Sequence, residues 1–194
     1  MRILGILGSP RKKGNTDILL DEVLKGSRSK GASVEKIYLA DLEFKGCIEC
    51  AGCDKTGICV LEDDMTPIYD KIKNADAVII ASPIFFTSIT AQLKAMIDRC
   101  QSEWVAKYKL RKDKPRRPEA QKPRKRGVFI CASGYKKDIF CKAARKIIAA
   151  FFKTIDIDYY GDLFFGGLDK AAEIKRKKGA LSMAYKLGQE IVKG

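Results

Sequence analysis

Histidine is absent from this 194-residue chain, and its absence excludes several kinds of site. No His can bind zinc or iron, and no Ser-His or Cys-His pair can carry out nucleophilic hydrolysis. No apolar run approaches the roughly 18 residues that cross a bilayer, so we predict no membrane association. The opening run Met-Arg-Ile-Leu-Gly-Ile-Leu-Gly is too short to be a secretory signal, and we read it as a first strand. We therefore expect a cytoplasmic protein.

The net charge of +14 suggests a polyanionic partner, but its distribution argues against one. Residues 107–126 hold eleven Lys or Arg and two acids, and so contribute +9 of the total. Three prolines make this segment an extended loop and not a basic recognition helix. It has one aromatic residue, Tyr108, which gives little base stacking. We predict a solvated crossover loop and no nucleic acid; the alternative is a docking surface for an acidic electron carrier or for pyridine-nucleotide phosphates.

Apolar strands alternate with amphipathic helices along the chain. Segments such as 77–81 (Ala-Val-Ile-Ile-Ala) are continuously apolar, which is typical of a parallel sheet covered on both faces. The pattern predicts a single α/β domain over 1–194: a flavodoxin-like, doubly wound sheet of five parallel strands in the order 2-1-3-4-5. The predicted strands are 2–7, 33–39, 77–81, 128–131 and 155–165, and the helices 16–30, 64–74, 89–106, 137–153 and 169–192.

Four cysteines lie in one short, polar, glycine-containing loop at 46–60, with the spacing C-x2-C-x2-C-x5-C: Cys47, Cys50, Cys53 and Cys59. The C-x2-C-x2-C run is the one that bacterial ferredoxins use for an iron–sulfur cluster. Zinc is an alternative, although structural zinc usually takes two separated C-x2-4-C pairs. Disulfides and redox-active thiols are further alternatives. The other cysteines lie in apolar surroundings and are predicted to be buried free thiols: Cys100, Cys131 and Cys141.

Three loops follow predicted strands at one edge of the sheet. The first, 8–16 (Gly-Ser-Pro-Arg-Lys-Lys-Gly-Asn-Thr), offers hydroxyl, amide and helix N-terminal N–H groups to an anion, and it suits a monophosphate such as that of FMN. The second, 82–88, supplies Phe85 and Phe86, on which a flat tricyclic ring can rest. The third, at Ser133 and Gly134, allows close approach of the same ligand. An ordinary capped turn is the alternative for the first loop.

These motifs together resemble the iron–sulfur flavoproteins of the NADPH-dependent FMN reductase superfamily. The resemblance includes 8–16, the cysteine run with Asp63-Asp64-Met65, Ser82–Phe86, 90–94 and 97–99. It implies that FMN is bound at its phosphate by Ser9, Arg11, Asn15 and Thr16, and around its ribityl chain and ring by Pro83, Ile84, Phe85, Phe86, Thr87 and Ser88. It also implies a [4Fe–4S] cluster on Cys47, Cys50, Cys53 and Cys59, and a homodimer or homotetramer.

The leading hypothesis is therefore an FMN- and [4Fe–4S]-containing electron-transfer oxidoreductase. A flavin exchanges two electrons and a cluster one, so the pair would couple a ferredoxin-type carrier to a further acceptor. The alternative is an NAD(P)H-dependent FMN or quinone reductase whose cysteines hold no cluster. A third hypothesis, from another class, is a nucleic-acid or regulatory binding module that uses 107–126.

Overall fold

One parallel sheet organises the computed structural model, which describes residues 1–110 and 124–193. Within these residues the strand order is β2-β1-β3-β4-β5, and every neighbouring pair is parallel. This confirms the predicted flavodoxin-like arrangement. The strands are β1 (Arg2–Leu7), β2 (Ser33–Tyr38), β3 (Ala77–Pro83), β4 (Lys125–Ser133) and β5 (Ile157–Gly166).

Helices connect the strands and cover both faces of the sheet. In the described chain the α-helices are α1 (Asn15–Arg28), α2 (Thr66–Asn74), α3 (Ala91–Arg99), α4 (Gln101–Trp104), α5 (Lys142–Thr154) and α6 (Ala180–Lys193). Short 3-10 turns occur at Leu39–Asp41, Asp138–Cys141 and Glu173–Arg176, and a π-helical turn at Val105–Lys109.

The apolar core forms two layers, one on each side of the sheet. Ile3 and Ile79 pack with α1 and α6, whereas their neighbours Leu4 and Ile80 pack with α2, α3 and α5. All four side chains are at most 2% exposed. Since successive residues of a strand point to opposite faces, only continuously apolar strands can fill both layers. The continuous runs in the sequence therefore explain the doubly wound fold.

Three predicted helices are shorter or more interrupted than their periodicity indicates. The helix predicted over 137–153 begins with the 3-10 turn Asp138–Cys141 and becomes α-helical only at Lys142. The helix predicted over 89–106 breaks at Cys100, where α3 ends and α4 begins. The helix predicted over 169–192 starts only at Ala180. Ala172 (φ 58°) and Gly179 (φ 78°) take left-handed backbone conformations, and a right-handed helix cannot pass through such residues.

The buried cysteines differ from the prediction at two of three positions. Cys100 is a buried free thiol, as expected. Cys131 and Cys141 are buried, as predicted, but the prediction that they are free was wrong, because they form a disulfide between β4 and the 3-10 turn before α5. Both lie in the core layer beneath α2, α3 and α5. Folding brings them together across only ten residues of sequence, a proximity that apolar surroundings alone did not reveal.

Most of the predicted basic loop, 107–126, lies outside the described residues, which resume at Arg124. The cations at its two described ends all bond to the protein itself. Lys107 pairs with Asp156, Lys109 with Asp54 and Arg124 with Asp158, whereas Arg126 and Lys125 donate to backbone carbonyls. None of the helices in the described ranges is long and apolar enough to span a bilayer.

Candidate functional site

The loops after β1 and β3 are bonded directly to each other at the carboxyl edge of the sheet. Gly8 N–H donates to Ala81 O (2.8 Å), and Thr90 Oγ1 donates to Gly8 O (2.5 Å). A Cβ atom at Gly8 would lie 2.8 Å from Leu93 Cβ, so only glycine lets the start of α3 approach β1 this closely. The two loops therefore form a single crevice edge at the point where the strand order reverses, which is where this architecture binds ligands.

The residues predicted to hold a phosphate surround the start of α1. Ser9 is buried, and its Oγ accepts a bond from Arg11 N–H (3.1 Å), which shapes the turn. The Arg11 side chain is exposed, whereas Thr16 is buried in the first turn of α1. The helix has no side-chain N-cap bond at Gly14. Its first-turn N–H groups, which lack intrahelical partners, are thus left for an anion.

The Asn15 side chain also makes two long-range hydrogen bonds that the sequence did not predict. Its side-chain amide donates to Lys170 O (2.9 Å), and its Oδ1 accepts from Ile174 N–H (3.0 Å). The side chain therefore fastens the segment before α6 to the start of α1. Each end of the amide makes one such bond, so the side chain keeps one donor and one acceptor position.

The loop after β3 is a strained hairpin that exposes aromatic surface. Phe85 and Ser88 exchange both backbone hydrogen bonds at 2.9 Å. Between them, Phe86 (φ 47°) and Thr87 (φ 62°) are both left-handed, as a type I′ turn requires of its two central residues. Neither residue is Gly or Asn, and such positions cost about 1–3 kcal/mol each and cluster at ligand sites. The turn leaves the Phe86 side chain 100% exposed.

The remaining predicted flavin residues lie beside this turn or on the neighbouring strand. Pro83 ends β3 opposite Ala132 of β4, and Ile84 N–H donates to Ala132 O (2.9 Å). Ser133 is buried at the end of β4, and its Oγ accepts from Tyr135 N–H (3.1 Å). Gly134 is exposed and lies against Asp169. The predicted flavin residues thus occupy the carboxyl ends of three adjacent strands.

The cysteine loop starts at the same edge, after β2 and the 3-10 turn that follows it. Cys47 and Cys50 are exposed, and Cys53 and Cys59 are half-buried, all as free thiols. In the described residues, no group of three or more Cys, Asp or Glu has the geometry of a bound metal ion. The backbone is unusual, because Glu49 (φ 52°) and Ala51 (φ 57°) are left-handed on either side of Cys50. Such turns point successive N–H groups into a concavity that suits anions and iron–sulfur centres.

The far side of the cysteine loop packs against the helical segment that follows α3. A Cβ atom on Gly57 (φ 71°) would lie 2.7 Å from Ala106 Cβ, so the contact requires glycine. Asp54 forms an ion pair with Lys109 (2.7 Å). The π-helical turn thus supports the part of the loop between Cys53 and Cys59.

A buried ion pair that the sequence analysis missed closes the base of the loop. The Arg99 side chain is fully buried and bonds the Asp63 carboxylate through both terminal nitrogens, at 2.6 and 3.1 Å. Asp63 also accepts from Met65 N–H (3.0 Å). One signal was available: helical spacing from Leu93 and Met96 places position 99 on the buried face of α3, where a charged residue requires a partner.

Electrostatics around this pair favour the ionised forms. Burial opposes ionisation of Asp63, but hydrogen bonds from Arg99 and Met65 N–H outweigh it and lower the pKa of Asp63. Burial likewise opposes the charge of Arg99, and the bonds to Asp63 raise its pKa. The pKa of Cys53 is raised, mainly by burial and further by Asp54, Cys59 and Cys47.

Comparison with known proteins identifies the family. The chain matches the family described as NADPH-dependent FMN reductase over residues 1–157. It belongs to that family. Two curated relatives, both iron-sulfur flavoproteins, come from Methanocaldococcus jannaschii (43% identical over 99 residues) and Archaeoglobus fulgidus (42% over 99 residues). The matches cover 51% of this chain, and 51% and 45% of the relatives, so the chain spans about half the length of the curated relatives it matches.

Solved structures agree with this membership at the level of the fold. An NAD(P)H:quinone oxidoreductase from Methanothermobacter marburgensis superposes with a TM-score of 0.71 at 16% identity, covering 98% of this chain and 96% of that one. The described geometry does not test which residues contact a flavin or a cluster, and those assignments stay predictions.

Proposed function

We propose that this member of the FMN reductase family is an electron-transfer flavoprotein that binds FMN and a [4Fe–4S] cluster. One observation carries the proposal: four free thiols in a single loop whose backbone is left-handed on both sides of the second cysteine. The donor set fits the group, because such clusters take four Cys ligands and hydrogen bonds from backbone N–H groups. The ligands would be Cys47, Cys50, Cys53 and Cys59.

The flavin would occupy the crevice at the carboxyl ends of β1, β3 and β4. Ser9, Arg11, Asn15 and Thr16 would hold its phosphate at the N-terminus of α1. Pro83 to Ser88 would lie along its ribityl chain and ring, with Phe85 and Phe86 supplying apolar surface. Ser133 and Gly134 would complete the far wall.

A bound flavin and a bound cluster would let two-electron and one-electron reactions be coupled. The chain's own contribution is to hold the two binding loops at one sheet edge. The Gly8–Thr90 bond fixes the flavin loops, and the Arg99–Asp63 pair fixes the cysteine loop. The described residues supply no His, so a proton would have to come from a hydroxyl, a carboxylic acid or solvent.

The proposed partners follow from the same reasoning. A ferredoxin-type carrier would exchange single electrons with the cluster, and NAD(P)H would be an alternative source for the flavin. Ile48, Ile58, Val60 and Phe86 are each more than half exposed, and burial of such apolar side chains favours a homodimer or homotetramer. The exposed cysteine loop would need a reducing compartment such as the cytoplasm to keep its thiols free, and the Cys131–Cys141 disulfide, which is fully buried, would have to be shielded from reductants there.

Iron and sulfide analysis of protein isolated without air tests this function. We expect about four iron and four sulfide per chain, together with one FMN. Cys53→Ala should lose the iron, whereas Cys100→Ala, which removes a buried thiol outside the loop, should retain it. A chain that stays free of iron after anaerobic reconstitution with ferrous iron and sulfide would contradict the proposal.

A second candidate is an NAD(P)H-dependent FMN or quinone reductase without a cluster. The match to the FMN reductase family over residues 1–157 favours it, because that match does not depend on the cysteines. In that case NADPH should reduce the bound flavin equally fast in the wild type and in Cys53→Ala. Slow reduction by NADPH together with fast reduction by a ferredoxin-type donor would exclude it.

A further inference from the structure

The segment that follows β5, residues 167–174, is bonded at its start to the loop after β4. Gly167 N–H donates to Tyr135 O (3.2 Å), and Leu168 N–H donates to Ser133 O (3.0 Å). These bonds satisfy backbone groups that a surface loop would otherwise leave to water. The segment therefore begins beside the far wall of the proposed flavin site.

The same segment ends beside the proposed phosphate site. Asn15, the first residue of α1, donates to Lys170 O (2.9 Å) and accepts from Ile174 N–H (3.0 Å). These bonds hold the segment at a helix N-terminus, whose free N–H groups suit an anion. Residues 167–174 thus connect the loop after β4 to the loop after β1, which lie on either side of the loop after β3.

One carboxylate of this segment lies directly against the flavin wall. Asp169 Oδ1 is so close to Gly134 that a Cβ atom there would overlap it, so only glycine at this position admits the carboxylate. Glu173 shapes the turn, because its Oε2 accepts from the N–H groups of both Asp169 and Lys170, each at 2.9 Å. The fold therefore sets the position of the Asp169 side chain.

The Asp169 carboxylate has no partner of its own within residues 1–110 and 124–193. It is exposed, and it accepts no hydrogen bond and forms no ion pair there. Lys170 follows it in the chain and Lys136 lies against the neighbouring Gly167, yet neither lysine pairs with it. Since an ionised carboxylate offers about four acceptor sites, those of Asp169 are all available to a ligand in the crevice.

We propose that residues 167–174 form a fourth loop of the flavin site and that Asp169 is its ligand-contacting residue. The inference rests on the proposed function and deepens it, since it adds a contact to the same site. A carboxylate only accepts hydrogen bonds and would repel the FMN phosphate. It therefore suits the uncharged donors of the ligand, which are the ribityl hydroxyls and the ring N–H. Glu173 is a positioning residue, because it acts through Asp169.

Variants of Asp169 measure the contact itself. Asp169→Ala should weaken FMN binding about 10- to 100-fold, the usual effect of a lost hydrogen bond to a charged group. Asp169→Asn removes the charge but keeps one acceptor oxygen, so it should weaken binding less. Asp158→Ala is the matched control and should keep the wild-type affinity, because this exposed carboxylate lies near the start of β5, at the opposite edge of the sheet, and pairs with Arg124.

A double-mutant cycle tests the positioning role of Glu173. Glu173→Ala removes both bonds that hold the turn, so FMN binding should weaken in the otherwise wild-type protein. In the Asp169→Ala background the same change should have no further effect, because residues that act as a unit are not additive. Equal losses in the two backgrounds would show that Glu173 does not act through Asp169, and would overturn this part of the inference.

The experiment is a fluorescence titration of the flavin-free, full-length chain with FMN and with riboflavin, which lacks the phosphate. A loss by the same factor for both ligands in Asp169→Ala supports the inference. A loss for FMN alone would place the contact at the phosphate and overturn it, as would tighter FMN binding by Asp169→Asn. If Asp169→Ala does not fold, Asp169→Asn decides, and an affinity equal to or above that of the wild type rejects the inference.

Failure of the proposed function itself gives a different result. Wild-type protein that binds neither flavin rejects the proposed function and this inference together. A wild type that binds FMN, with the same affinity in both Asp169 variants, rejects the inference alone.

Discussion

Breaking the buried Arg99–Asp63 pair should cost a large share of the stability of the fold. In Asp63→Asn the amide can accept only one of the two bonds that Arg99 now donates to the carboxylate, and the fully buried guanidinium loses its counter-ion. Removing one partner of a buried pair costs about 3–5 kcal/mol, against a total stability of about 5–15 kcal/mol for a typical domain. We expect a loss within that range at pH 7.

Acid should abolish the difference in stability between the wild type and Asp63→Asn. Asp63 has a folded-state pKa below its ordinary value of 3.8, so its contribution is fully present above that value and is lost as the pH falls through the lowered pKa. The gap in unfolding free energy between wild type and Asp63→Asn should therefore be constant from pH 7 to about 5 and shrink below about 4.

Urea unfolding measures both the loss of stability at pH 7 and its change with pH. Iron-free protein is used, because bound metal would add its own binding free energy. Trp104 is the single tryptophan and lies in α4, five residues after Arg99, so its fluorescence reports this region. Asp98→Asn is the control: its i,i+4 pair with Lys94 is exposed and should contribute no more than about 0.5 kcal/mol. A loss below about 1 kcal/mol for Asp63→Asn at pH 7, less than a buried pair should cost, or a gap that widens in acid, would refute the reasoning.

Two further predictions concern the flavin loops. Thr87→Gly should stabilise the flavin-free protein by about 1 kcal/mol in urea unfolding, because glycine relieves the left-handed strain. It should also weaken FMN binding, since the freed turn no longer fixes Phe86; unchanged affinity in a fluorescence titration would contradict this. Gly8→Ala should destabilise the fold by about 1–3 kcal/mol, because its Cβ would clash with Leu93. An unchanged free energy of unfolding would contradict this and would show that α3 can move away.

The fold followed from the sequence because the apolar runs in the strands are unambiguous. Residues such as Ile79 and Ile80 belong to opposite core layers, and only a doubly covered parallel sheet accommodates such a run. Helix ends were harder to predict. The break at Cys100 and the late start of α6 at Ala180 depend on local backbone conformations that apolar periodicity does not encode.

The meeting of the loops after β1 and β3 at one sheet edge was predictable from the sequence, but the long-range bonds around them were not. Which residues hold a flavin, and whether the cysteine loop holds metal, stay predictions. The bond from Asn15 to Lys170 spans 155 residues, and the pair between Arg99 and Asp63 spans 36; no local pattern reveals such partners. The left-handed conformations of Phe86 and Thr87 could not be predicted either, because type I′ turns usually contain Gly or Asn at these positions.

The central claim is that the loop from Cys47 to Cys59 holds an iron–sulfur cluster close enough to FMN to exchange electrons with it. Stopped-flow absorbance of anaerobic holoprotein, mixed with one electron equivalent per chain and followed by freeze-quench EPR, tests it most directly. We predict that the electron distributes between both centres within a turnover, and that Cys53→Ala shows flavin signals alone. Identical flavin kinetics in both proteins, with no cluster signal at any time, would contradict the account.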